Sequence, residues 1–126
     1  MKTMTRDQAF NALRDAVNER GRSFVYNTIN GCMNVNSKGE PDCLVGLALW
    51  RFGEQNDLPE NFMLNYRYGT IIGVANRLRE DGVLSIGKSA LVVLKVAQRF
   101  QDEGKSWGEA FDAAIITADA LAVAGL

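Results

Sequence analysis

The chain contains no histidine. Its absence removes the usual general base near neutral pH, the usual partner of a serine or cysteine nucleophile, and the commonest zinc ligand. Cysteine is scarce as well. Cys32 and Cys43 are the only two, and two thiols without histidine cannot complete a tetrahedral structural zinc site. Asp and Glu are present, but nowhere at the spacing of a calcium loop. No metal and no cofactor are therefore expected. No apolar run approaches the ~20 residues that span a bilayer, so no membrane partner is expected. Met1–Arg6 leads straight into a polar amphipathic stretch rather than the apolar core of a secretory signal. Reduced, partly buried thiols and a cytoplasmic location follow from that. An excess of positive charge is also missing: the formal net charge is -1 and the pI is about 5.4. Proteins that hold nucleic acid without sequence preference neutralise many phosphates, so nucleic acid is not an expected partner.

What remains is an ordinary globular composition. Of 126 residues, 47% are hydrophobic and 23% charged, enough to build a core without a staple. No repeat, linker or low-complexity stretch interrupts the chain, so residues 1–126 read as one domain.

Caps and spacing supply the elements. Thr5-Arg6-Asp7-Gln8 has the T-x-x-Q form of a capping box, and Ala9, Phe10, Leu13, Ala16 and Val17 follow at helical spacing up to Gly21. Phe24-Val25-Tyr26 and Cys32-Met33-Asn34-Val35-Asn36 read as the arms of a small hairpin around Asn30-Gly31. Pro41-Asp42 opens a second helix that Gly53 closes, with Gly46 inside it as a weak point unless something packs closely there. Asp57-Leu58-Pro59-Glu60 reads as a further helix start with a short turn. Tyr68 to Glu80 and Ser89 to Asp102 form the next helices, the second as the central buried one. Ser106-Trp107-Gly108-Glu109 is an S-x-x-E capping box for the last. The expected fold is mainly α: a compact bundle of about five helices with one small β-hairpin between the first and second.

Gly82-Val83-Leu84-Ser85-Ile86-Gly87-Lys88-Ser89 fits the phosphate-loop pattern G-x-x-x-x-G-K-[ST]. Its setting does not suit. A phosphate loop leaves a buried strand, whereas Asn76 to Asp81 reads as the charged end of a helix. The stretch is therefore read as a helix–helix connector in which Ser85 or Ser89 caps the next helix. A helix-turn-helix reading around Glu80-Asp81-Gly82 fails too, because Leu91-Val92-Val93-Leu94 suits a core and not a DNA groove. Lys88, Lys95 and Arg99 lie near one side of that helix as a solvated face. Cys43, at a helix start, reads as a packed and inert thiol without a base beside it. No catalytic residue is assigned.

Two surfaces stand out. Tyr66, Arg67 and Tyr68, with Lys88, are the candidate ligand or partner contacts, since two aromatics around an arginine can stack on a base or anchor a protein. In the last helix one apolar line, through Trp107, Phe111, Ala114, Ile115, Ala118 and Leu121, serves the core. A second, through Ile116, Ala120 and Val123, is the candidate for self-association.

At Phe24-Val25-Tyr26, Gly31-Cys32 and Pro41-Asp42-Cys43-Leu44-Val45-Gly46 the chain resembles small uncharacterised proteins of actinobacteria and their phages. The stretch from Ala97-Gln98 to Gln101-Asp102-Glu103-Gly104-Lys105-Ser106-Trp107-Gly108-Glu109-Ala110 adds to that resemblance. It implies a cytoplasmic, phage-encoded protein and carries no site residue with it. The resulting expectation is a non-enzymatic accessory protein that modulates a host protein, as a homo-oligomer. The alternative is a protein that binds or sequesters a small nucleotide-like signal.

Overall fold

The caps and apolar spacings resolve into five helices in the computed structural model, which describes residues 1–26, 41–59, 66 and 70–125. The helices are α1 (Arg6–Arg20), α2 (Leu44–Gln55), α3 (Ile71–Glu80), α4 (Lys88–Asp102) and α5 (Trp107–Val123). Two three-residue strands accompany them, β1 (Lys2–Met4) and β2 (Leu84–Ile86).

The first capping box is fully formed. The Thr5 hydroxyl accepts from the Gln8 amide at 3.2 Å, and the Gln8 side chain accepts from the Thr5 amide at 2.9 Å. The last box is formed on one arm. The Ser106 hydroxyl accepts from the Glu109 amide, but it then donates to the Glu109 carboxylate. Thr70, not Tyr68, starts α3, its hydroxyl accepting from the Gly73 amide. Asp57 does not open a helix. It sits at φ 56°, just past α2, and the Leu58 amide turns back to the Gly53 carbonyl at 3.0 Å. That is a Schellman closure with an aspartate in the left-handed place usually given to glycine. The remainder of that expected turn, from Glu60 to Met63, lies outside the described residues.

The expected hairpin between the first and second helices is not confirmed, since its turn and second arm, Cys32 to Asn36, lie outside the described residues. Residues 24–26 carry no strand, and 27–40 lie outside the described residues. Among the described residues the two strands are β1 and β2, and they run parallel, with Lys2 opposite Leu84 and Met4 opposite Ile86. Neither was expected from the sequence. Residues 22–24 instead dock on the start of α5: the Gly108 amide donates to the Arg22 carbonyl and the Trp107 amide to the Phe24 carbonyl, at 2.9 and 2.8 Å. Their polar backbone is satisfied there rather than in a ladder.

The core runs through all five helices. Leu13, Leu44, Leu47, Leu49, Leu78, Leu94 and Trp107 are fully buried, and Met4 and Leu84 bring the sheet into the same cluster. α4 packs against each of the other four helices, but it keeps an exposed side; the helix buried almost all round is α2, from Leu44 to Gly53 apart from Arg51. Arg20 ties three elements together. Its guanidinium lies 2.6 Å from the Asp42 carboxylate and over the rings of Phe24 and Trp107, at 5.3 and 5.7 Å.

Candidate interaction surface

The start of α2 shows how tightly the interior is specified. Cys43 is its N-cap, and its sulfur accepts from the Gly46 amide at 3.3 Å. The Leu44 amide, a second orphan donor of that first turn, is taken by the side-chain oxygen of Gln101 at 2.6 Å. Gln101 is a polar residue fully enclosed in the core, and its amide nitrogen donates onward to Asp102. A Cβ at Gly46 would stand 2.8 Å from both the Cys43 sulfur and Pro41 Cβ. The glycine that looked like a weak point in the sequence is therefore required by close packing.

Cys43 corrects one expectation. It is disulfide-bonded, and no described cysteine is free. The chain's only other cysteine, Cys32, lies outside the described residues. A compartment argument for reduced thiols carries no information about what the fold sets against a sulfur.

The phosphate-loop match is spent on structure. The Gly82 amide donates to Arg79, the Val83 amide to Leu78 and the Gly87 amide to the Met4 carbonyl, all within 3.0 Å. Leu84 to Ile86 pair as β2. The Gly82, Val83 and Gly87 amides are thereby committed to closing α3 and joining the sheet, in place of wrapping a phosphate. The stretch is a connector, as expected, but the capping is different. Gly87 is the N-cap of α4 and makes no side-chain cap bond, so neither Ser85 nor Ser89 caps the helix. The strand inside the connector also separates α3 from α4 by more than a helix-turn-helix turn.

Of the four candidate contacts, Tyr66 is anchored. Its hydroxyl donates to Asp81 at 2.6 Å, and its carbonyl accepts from the Arg77 guanidinium at 3.2 Å. The Asp81 hydrogen bond is the main reason that the phenol titrates above its ordinary range; burial and the Asp81 charge add to it, and Arg77 opposes. Tyr66 packs against the core edge. Arg67 and Tyr68 lie outside the described residues. Lys88 is exposed at the first position of α4, and no hydrogen bond or ion pair links it to Tyr66.

The second line on α5 is a surface feature. Ile116 is 70% exposed and Val123 91%, with Ala120 also exposed. The opposite side of the same helix buries Trp107, Ala110, Phe111, Ala114 and Ala118. An open cleft of about 270 Å³ lies elsewhere, between α1 and the end of α2, lined by Gln8, Asn11, Ala12, Phe52, Gln55 and Asn56. It is uncharged, so it has no cation to meet a phosphate.

Among the described residues no three His, Cys, Asp or Glu side chains gather where they could hold a metal ion. No described helix is long and apolar enough to cross a membrane. No family model matches the chain, and comparison with curated proteins and solved structures finds no match either.

Proposed function

We propose that the chain is a non-enzymatic binding protein, a phage-type accessory factor that modulates a host protein and works as a homo-oligomer. The observation that carries this reading is the outer face of α5. Two large aliphatic side chains, Ile116 and Val123, stand in solvent on a helix whose inner side is closed into the core. Exposed apolar groups are common singly. A line of them at helical spacing beside a fully packed face is what an interaction surface looks like.

The nucleotide-signal alternative has less behind it. The Tyr66 hydroxyl is already committed to Asp81, and within the Gly82–Ser89 stretch the Gly82, Val83 and Gly87 amides are committed to the fold. Mass spectrometry of whatever is released on denaturing the purified protein separates the two readings. A stoichiometric nucleotide would favour the alternative. The binding-protein reading expects none, and expects a host protein to be captured by the wild type and lost with Ile116→Lys, a substitution at an exposed site.

The host cytoplasm is the proposed place of action, drawn from the resemblance to phage proteins. Structural disulfides are rare there, so the bond at Cys43 is the observation that weighs against this placement. Trapping thiols with an alkylating agent before lysis tests it: a cytoplasmic protein is expected to be labelled at Cys43. Failure to label it under denaturing conditions would place the protein in an oxidising compartment.

A further inference from the structure

The outward side of α4 and the outward side of α5 each carry three charged residues and one aliphatic residue at helical spacing, with opposite charge. On α4, Lys88, Val92, Lys95 and Arg99 follow one another at intervals of four, three and four, and all four are exposed. On α5, Glu109, Asp112, Ile116 and Asp119 stand at intervals of three, four and three, and all four are exposed. That helix carries no Lys or Arg from Trp107 to Val123. Lys88, Lys95 and Asp119 have no ion-pair partner among the described residues. Arg99 meets Glu103, and Asp112 meets Arg22, both in exposed positions where exchange costs little.

The two helices form an antiparallel hairpin, packed together and joined by Glu103 to Ser106. A two-fold axis parallel to the helices would set α4 of one copy against α5 of the other, with residues at equal distance from the turn facing each other. Lys88 then meets Asp119, Val92 meets Ile116, Lys95 meets Asp112 and Arg99 meets Glu109. Each pair matches in its distance from the turn to within two residues, or about 3 Å of helix rise. Three facing pairs are of opposite charge and the fourth is apolar. We infer that the α4–α5 face is a self-complementary interface for a second copy of this chain, forming a symmetric dimer in which α4 of each copy lies antiparallel on α5 of the other. A 15-residue helix is about 22 Å long, so two such helices offer a face at or below the ~800 Å² per partner of standard interfaces. The dimer is accordingly weak and, being charge-matched, sensitive to salt.

This inference deepens the binding-protein reading and rests on it only for treating α5 as a contact face. The test is a charge-reversal cycle read by sedimentation equilibrium. Lys88→Glu and Asp119→Lys are each expected to raise the dimer Kd about tenfold, since every substitution acts twice in a symmetric dimer. The double variant restores Kd to within about threefold of wild type, because both reversed pairs re-form across the axis. Raising salt from 50 to 500 mM weakens the wild-type dimer. Both single changes suit the helix dipole, an acid at the start of α4 and a base toward the end of α5, so helical content by circular dichroism is expected to hold. A monomer at about 1 mM would overturn the dimer, even if a host protein were still captured and the binding reading survived. Single variants that leave Kd unchanged, a double variant no better than the singles, or a dimer indifferent to salt would overturn it as well.

Discussion

At the scale of single residues, Gln101 has the largest consequence. It lies fully buried on α4, yet its side-chain oxygen serves the first turn of α2. Gln101→Leu keeps the volume and removes the acceptor, leaving the Leu44 amide buried without a partner. The expected cost is about 2 kcal/mol in urea denaturation. No change in the unfolding midpoint would show that water replaces the side chain. Nothing in the sequence singles out Gln101, because a glutamine within a helical pattern reads as solvated until the packing partner is known. Asp57 is the opposite case. At φ 56°, it occupies a conformation that glycine adopts freely, so Asp57→Gly is expected to stabilise the protein by about 0.5 kcal/mol despite the added chain entropy. Destabilisation in the same assay would mean that the carboxylate makes up for the strain. Tyr66 supplies a pH signature. Its phenol is held protonated chiefly by the hydrogen bond to Asp81. The associated stability is complete below the unfolded value of about 10 and is lost as pH rises through the higher folded value. Asp81→Asn is expected to move the tyrosinate absorbance transition of Tyr66 down toward the ordinary value. A transition left in place would assign the shift to burial.

At the scale of elements, the helices were legible and the sheet was not, for a physical reason. A helix announces itself over several turns, through caps such as Thr5 and Ser106 and through apolar residues every three or four positions. A three-residue strand offers a single alternation at most. Met4 and Leu84 are fully buried, but nothing local links the N-terminus to a segment some 80 residues away. The hairpin was inferred from alternation near Cys32, and at Phe24 the backbone found its partners on α5 instead. The junction with α5 is the most constrained packing site. A Cβ at Gly108 would come within 2.9 Å of the Arg22 carbonyl oxygen and 2.8 Å of Arg22 Cβ. Gly108→Ala must push the 22–24 segment off the helix, at an expected cost of about 2–3 kcal/mol. Hydrogen exchange at the Trp107 and Gly108 amides would follow that loss directly; unchanged protection would mean that the helix start can shift to accommodate the methyl.

At the scale of the whole molecule, α5 divides the protein into an inside and an outside. Its inner side was readable because Trp107, Phe111, Ala114 and Ala118 recur at helical spacing, and they are buried. Its outer line through Ile116, Ala120 and Val123 was readable for the same reason, and the single chain leaves it in solvent. The acidic complement at Asp112 and Asp119, and its match to Lys88 and Lys95, became visible only once α4 and α5 were known to pack as a hairpin with both sets facing outward. The proposed contacts at Tyr66 and Lys88 fared differently: one is occupied by an intramolecular bond, and the other takes its place in the α4 stripe. The most direct measurement is the solution mass of the purified protein from about 10 μM to 1 mM, wild type beside Ile116→Lys. The expected result is a wild type that rises toward twice the chain mass while the variant stays at one. A wild type that stays monomeric throughout, or a variant that associates as well as wild type, would contradict the assignment of the α5 outer face as the protein's self-contact surface.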